Sequence, residues 1–122
     1  MESPYKGKTG IARLFNAFKY SCAGIQEAYR NEDAFRQEVL LAIALLPLAF
    51  WLKSEMLSRA LMIACVLLLI IVELLNSAIE ATVDRISLDD HNLAKRAKNI
   101  GSAAVLVTLL NLIVVWLLVL LD

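Results

Sequence analysis

From Asn99 to Leu121 the chain runs 23 residues without a formal charge. A helix of roughly 20 mostly apolar residues crosses the hydrocarbon of a bilayer, so 99–121 predicts a transmembrane span. Two shorter uncharged stretches precede it. Fourteen residues, VLLAIALLPLAFWL, separate Glu38 from Lys53, and thirteen, ALMIACVLLLIIV, separate Arg59 from Glu73. The first reaches span length over 35–53, with Arg36 and Glu38 at the headgroups. The second reaches it over 57–84 only by taking Glu73 along, with Asn76 to Glu80 behind it. Composition agrees, since 60% hydrophobic residues in 122 are more than a small soluble body can hide. It equally excludes a disordered chain.

Basic residues assign the sides. Lys6, Lys8, Arg13, Lys19, Arg30 and Arg36 precede the first span, and Arg85, Lys95, Arg96 and Lys98 fall between the second and third. The connection between the first two spans holds only Lys53 and Arg59. The positive-inside rule then predicts a cytoplasmic N-terminus and 85–98 loop, with the 53–59 turn and Asp122 outside. The first 30 residues carry no apolar signal segment. They do place Ile11, Phe15, Phe18, Cys22, Ile25 and Tyr29 on one helical face. A helix over about 10–30 follows, either lying in the membrane interface or capping the bundle. With 12 Lys+Arg against 12 Asp+Glu, no electrostatic footprint of a nucleic-acid binder is present. Cys22 and Cys65 lack metal-ligand spacing and indicate neither a disulfide framework nor a zinc site. The whole chain reads as one all-α, polytopic membrane domain.

The chemistry concentrates in Glu73-Leu-Leu-Asn76-Ser77-Ala-Ile-Glu80-Ala-Thr-Val-Asp84-Arg85. At about 100° per residue, Glu80 and Asp84 lie roughly 20° to either side of Glu73. Asn76 and Ser77 flank the same stripe. A carboxylate in the membrane costs at least ~2.5–3.5 kcal/mol at the centre of a span, and such residues mark function by default. For Asp84 the plainer reading is a place among the headgroups, capped by Arg85. For Glu73 that reading fails, because more than two turns separate it from Arg85. Like charges so close call for a cation.

Asn31-Glu32-Asp33 joins the surface helix to the first span. Asn31 or Asp33 is the expected N-cap, which leaves Glu32 as a free carboxylate at the depth of Glu80. Two such groups suit Mg²⁺, which takes one or two carboxylates and keeps places for phosphate oxygens. Asp89-Asp90-His91-Asn92, followed by Lys95, Arg96 and Lys98, offers cations for phosphate or simply a solvated face. Gly101-Ser-Ala-Ala opens the third span with small residues that allow close packing, and Ser102 has a hydroxyl for a ligand. Phosphate-binding loops and soluble-kinase motifs are missing from the sequence.

With Asn31-Glu32-x-x-Phe35-Arg36-Gln37-Glu38 before it and Arg96-Ala-Lys98-x-x-Gly101-Ser-Ala-Ala after it, the Glu73–Ile86 block resembles the bacterial integral-membrane diacylglycerol kinase family. The likeness runs from about Arg13 to the end of the chain. It implies a homotrimer of three-span subunits, each with a surface helix, in the bacterial inner membrane, with active sites shared between neighbours at the cytoplasmic boundary. It also implies Mg²⁺-dependent transfer of the γ-phosphoryl of ATP to diacylglycerol, giving phosphatidic acid. On the matching positions Glu73 is the general base, and Glu32 and Glu80 hold the metal. Arg13, Tyr20, Lys98, Asn99 and the loop Asp89, Asp90, His91 meet ATP, together with Glu32 and Glu80. Gln37, Glu38, Trp51, Glu73 and Ser102 lie along the lipid, with Asn76 and Asp84 in support. The family usually has Asp where this chain has Asn99, which keeps hydrogen bonding but loses the charge.

Two other readings stay open. Undecaprenol kinases share the architecture, although GSAAV at 101–105 resembles the diacylglycerol side. A small proton-coupled transporter or channel subunit would use Glu73 and Glu80 as relay groups, but leaves Glu32 and the basic loop without a task.

Overall fold

The computed structural model describes residues 9–86 and 92–122. Four helices account for nearly all of them: α1 (Gly10–Asn31), α2 (Asp33–Leu52), α3 (Met56–Ile86) and α4 (Asn92–Leu121). The last three are long and apolar enough to cross a membrane. Pro47 lies within α2 without ending it, as neighbouring helices permit in a span. α4 carries the 99–121 segment and extends back to Asn92, so Lys95, Arg96 and Lys98 belong to the helix.

α3 lies between α2 and α4 and touches both, while α1 contacts α2 and α3. The core gathers Ala42 and Ala49 of α2, Met62, Cys65, Val66 and Leu69 of α3, and Leu112, Trp116 and Val119 of α4. Polar groups inside it find partners. Trp116 Nε1 donates to the Met62 carbonyl at 3.2 Å and Asn111 Nδ2 to Cys65 Sγ at 3.6 Å. At the far end, Arg59 donates to the carbonyls of Lys53 and Phe50 at 2.6 and 2.9 Å and stacks over the Phe50 ring. It thus satisfies one carbonyl in the last turn of α2, which no helical N–H reaches, and that of the C-cap Lys53.

The apolar face of α1 is not spent on the bundle. Ala28 is its one buried residue, while Ile11, Leu14, Phe15, Phe18 and Ile25 stay largely exposed. Such a helix, amphipathic and adjoining three spans, suits the membrane interface rather than a cap packed on the bundle.

The joint between α1 and α2 is one residue long, and it corrects the expected cap. Glu32 takes extended angles (φ −118°, ψ 112°) and is itself the N-cap of α2, without a side-chain cap bond. Asn31 instead turns back, its Nδ2 donating to the Glu27 carbonyl at 2.9 Å. Asp33 is already helical and pairs with Arg36. The reason is Arg36, whose Nη1 donates to the carbonyls of Tyr29 and Arg30, each at 2.8 Å. One guanidinium ties the last turn of α1 to the first turn of α2 and leaves the Glu32 carboxylate unused by either.

Candidate functional site

The acidic stripe of α3 runs from inside the bundle to its surface. Glu73 is 4% exposed, Asn76 is buried, Glu80 is half-buried and Asp84 is exposed. Each carboxylate meets a different neighbour. Glu73 stands in hydrogen-bonding contact with Glu38 of α2, also buried. Glu80 and Glu32 lie within each other's field, with Asp33 and Asp84 close by. Partial burial, then the charges of Glu80, Asp33 and Asp84, hold the Glu32 carboxyl above its usual 4.5. Asp84 is paired not with its neighbour Arg85 but with Lys98 of α4, Nζ to Oδ1 at 2.6 Å. Helical geometry explains the switch, since residue 85 points about 100° away from residue 84.

The stripe, Glu32 and Lys98 therefore assemble in one chain from α3, the α1–α2 joint and α4. Four carboxylates (Glu32, Asp33, Glu80, Asp84) share this end of the bundle. Arg36 pairs with Asp33 and Lys98 with Asp84, while Glu32 and Glu80 act on each other electrostatically and Glu80 accepts from Asn76 Nδ2. Among the described residues no group of three or more His, Cys, Asp or Glu converges as a ready-made metal cage. Two carboxylates are nevertheless what Mg²⁺ takes when phosphate oxygens fill its other positions, so the donor set fits that ion.

Among the described residues, three polar atoms near this end are buried without a hydrogen-bond partner: Glu38 Oε2, Asn76 Oδ1 and Ser77 Oγ. Buried polar groups are normally satisfied, and orphans need an explanation such as a ligand. Ser77 lines a cleft of about 510 Å³ between α1 and α3, walled by Ser21, Gly24 and Ala28 on one side and Ala78 on the other, with Glu32 at its edge. The sequence places Ser77 beside the stripe, but not on a cleft. The cleft's signal is the small-residue spacing of Ser21, Gly24 and Ala28 opposite Ser77, Ala78 and Ala81, which leaves room between helices.

Other expected site residues stand apart in this chain. Arg13 and Tyr20 lie on α1, roughly 28 and 18 Å before Glu32 along the helix axis. Trp51 is exposed near the far end of α2, roughly 28 Å from Glu32 by the same rise. Gln37, Asn99 and Ser102 are exposed close to the acidic end. Asp89, Asp90 and His91 fall outside the described residues.

A family model described as prokaryotic diacylglycerol kinase matches residues 19–120. The chain is 57% identical over 120 residues to a diacylglycerol kinase of Pseudomonas aeruginosa, covering 98% of each. It is 47% identical over 108 residues to that of Haemophilus influenzae, covering 88% of this chain and 92% of the relative. Against that of Escherichia coli K12 it is 45% identical over 108 residues, covering 88% of each.

Proposed function

The chain belongs to the prokaryotic diacylglycerol kinase family, and from that premise we propose that it transfers the γ-phosphoryl group of ATP to the primary hydroxyl of diacylglycerol, giving phosphatidic acid. One observation carries the reading. Carboxylates from two separate elements, Glu32 and Glu80, lie close enough to repel each other, and Glu80 belongs to the α3 stripe that descends to buried Glu73.

Phosphoryl transfer asks a protein mainly for positioning and for positive charge around the transferred group. Mg²⁺ held by Glu32 and Glu80 would neutralise charge on the β- and γ-phosphate oxygens. Lys98, kept beside them by Asp84, adds a cation on a rigid helix. Asn99 follows as a hydrogen-bonding neighbour, and Arg13, Tyr20 and the segment Asp89, Asp90, His91 complete the nucleotide's surroundings. Glu73 takes the proton of the lipid alcohol as its oxygen bonds to phosphorus and the bond from phosphorus to ADP breaks. A base for a membrane-dissolved alcohol has to stand on a membrane helix, and Glu73 does.

Gln37, Glu38, Trp51 and Ser102 line the lipid's path, with the α1–α3 cleft receiving its glycerol end. The largely apolar walls of that cleft and its Glu32 edge support this. Asn76 and Asp84 act in support of Glu80 and Lys98. The N-terminus and the acidic end face the cytoplasm, where ATP is, and the C-terminus lies outside the inner membrane. Three copies associate and share sites. A single chain leaves α2 and α4 mostly uncovered, and the cost of lipid-facing carboxylates favours enclosure of the stripe by neighbours.

The test is direct. Purified protein in detergent–lipid micelles, given γ-labelled ATP, Mg²⁺ and either diacylglycerol or undecaprenol, should label phosphatidic acid. Label confined to undecaprenyl phosphate would reassign the substrate, and ion flux without ATP turnover would replace the kinase with a carrier.

A further inference from the structure

Gly101 of α4 meets Asn76 of α3 at closer range than any other residue would allow. A Cβ at position 101 would overlap Asn76 Oδ1 and lie 3.3 Å from its Cγ. Both residues are buried, and Oδ1, pressed against the glycine's Cα–H, has no hydrogen-bond partner. The same amide turns its Nδ2 toward Glu80 Oε1 at 3.5 Å. The orientation is chemically determined. Turned over, the amide would set a carbonyl against a carboxylate and lose the donor.

We infer that Gly101 is a positioning residue: lacking a Cβ, it seats the Asn76 carbonyl against α4, which keeps the amide N–H on Glu80 and fixes that carboxylate for a divalent cation. The inference rests on the reading of Glu80 as a metal ligand. It differs from a packing role in what a methyl group would do. The atom in its way is the end of a side chain, not backbone, so Asn76 swings aside rather than the helices parting. The cost then falls on the aim of the amide and spares assembly. Hydrogen-bond partners of ligating groups are worth ~10–100-fold in metal affinity.

The test titrates Mn²⁺ into the full-length protein in lipid micelles with a non-hydrolysable ATP analogue, reading free Mn²⁺ by electron paramagnetic resonance. Gly101→Ala should weaken Mn²⁺ binding roughly tenfold while assembly, read by size-exclusion chromatography, is kept. Asn76→Ala should weaken it similarly, and the double variant no further, because both act through one contact. Unchanged Mn²⁺ affinity in Gly101→Ala, or fully additive losses in the double variant, overturns the inference. Should Gly101→Ala not assemble, Asn76→Ala in the same chain removes the overlap; restored assembly supports the contact and continued failure overturns it. Glu80→Gln separates the two levels. If it leaves Mn²⁺ binding unchanged, the metal reading falls and the inference with it. If Glu80→Gln weakens binding and Gly101→Ala does not, only the positioning role falls.

Discussion

Replacing Glu73 with Gln keeps size and hydrogen bonding at a buried site but removes the group that accepts the alcohol's proton. General-base catalysis contributes typically ~10²–10⁴-fold, or about 2.7–5.4 kcal/mol of barrier. At 4% exposure there is little room for a water to take the base's place, so the turnover number should fall within that range. Nucleotide binding should respond far less. Seven residues of helix put Glu73 about 10 Å from Glu80. At that separation one unit charge is worth roughly 0.4 kcal/mol at a dielectric of 80 and 1.7 kcal/mol at 20. The affinity for an ATP analogue should thus shift by about 2- to 16-fold at most, against a hundredfold or more in turnover. Steady-state turnover with labelled ATP and calorimetric titration of a non-hydrolysable analogue give the two numbers. Equal losses in both, or a turnover loss below tenfold, would refute the assignment of Glu73 as base.

Asp84→Asn releases Lys98 from its ion pair and should raise the KM for ATP several-fold, more than it lowers kcat; Asp84→Glu should restore it, and an unchanged KM would deny the pair a part in holding the nucleotide. Because Glu32 holds its proton above the usual 4.5, protons compete with a divalent ion there. Apparent Mn²⁺ affinity should therefore decline as pH falls, starting above 4.5, and Glu32→Gln should flatten that dependence. In metal-free protein the sign reverses: the folded chain binds this proton more tightly than the unfolded one. Its contribution to stability is complete below 4.5 and is lost as pH rises through the raised value, which thermal unfolding across pH would show. Ala49→Leu overfills a site with 0% exposure at the α2–α3 contact and should cost ~1–3 kcal/mol, seen as earlier unfolding in a detergent titration.

The spans were legible because charge is expelled from hydrocarbon: one uncharged run traces the third outright, and two shorter runs mark the cores of the others. The extension of α4 back to Asn92 was not, since Lys95, Arg96 and Lys98 read equally well as a solvated basic loop. At the α1–α2 joint, cap preferences point to Asn31 or Asp33, whereas Glu32 fills the position because Arg36 reaches back to two carbonyls of α1. That is a contact between helices, invisible to local rules. The stripe of Glu73, Glu80 and Asp84 followed from helical spacing, but their partners did not. Lys98 replaces Arg85 beside Asp84, Glu38 meets Glu73, and Gly101 meets Asn76, each through the packing of separate helices. Arg13, Tyr20 and Trp51 were grouped with the acids by family likeness, and one chain keeps them distant along α1 and α2.

α4 is unbroken from Asn92 to Leu121, about 45 Å of rod through hydrocarbon about 30 Å thick. Lys98 rides on the part that protrudes. Because the rod is continuous, any tilt it takes in a bilayer of different thickness would be shared by the span and the ammonium. The place of this cation is thus set by a membrane-crossing helix and not by a loop.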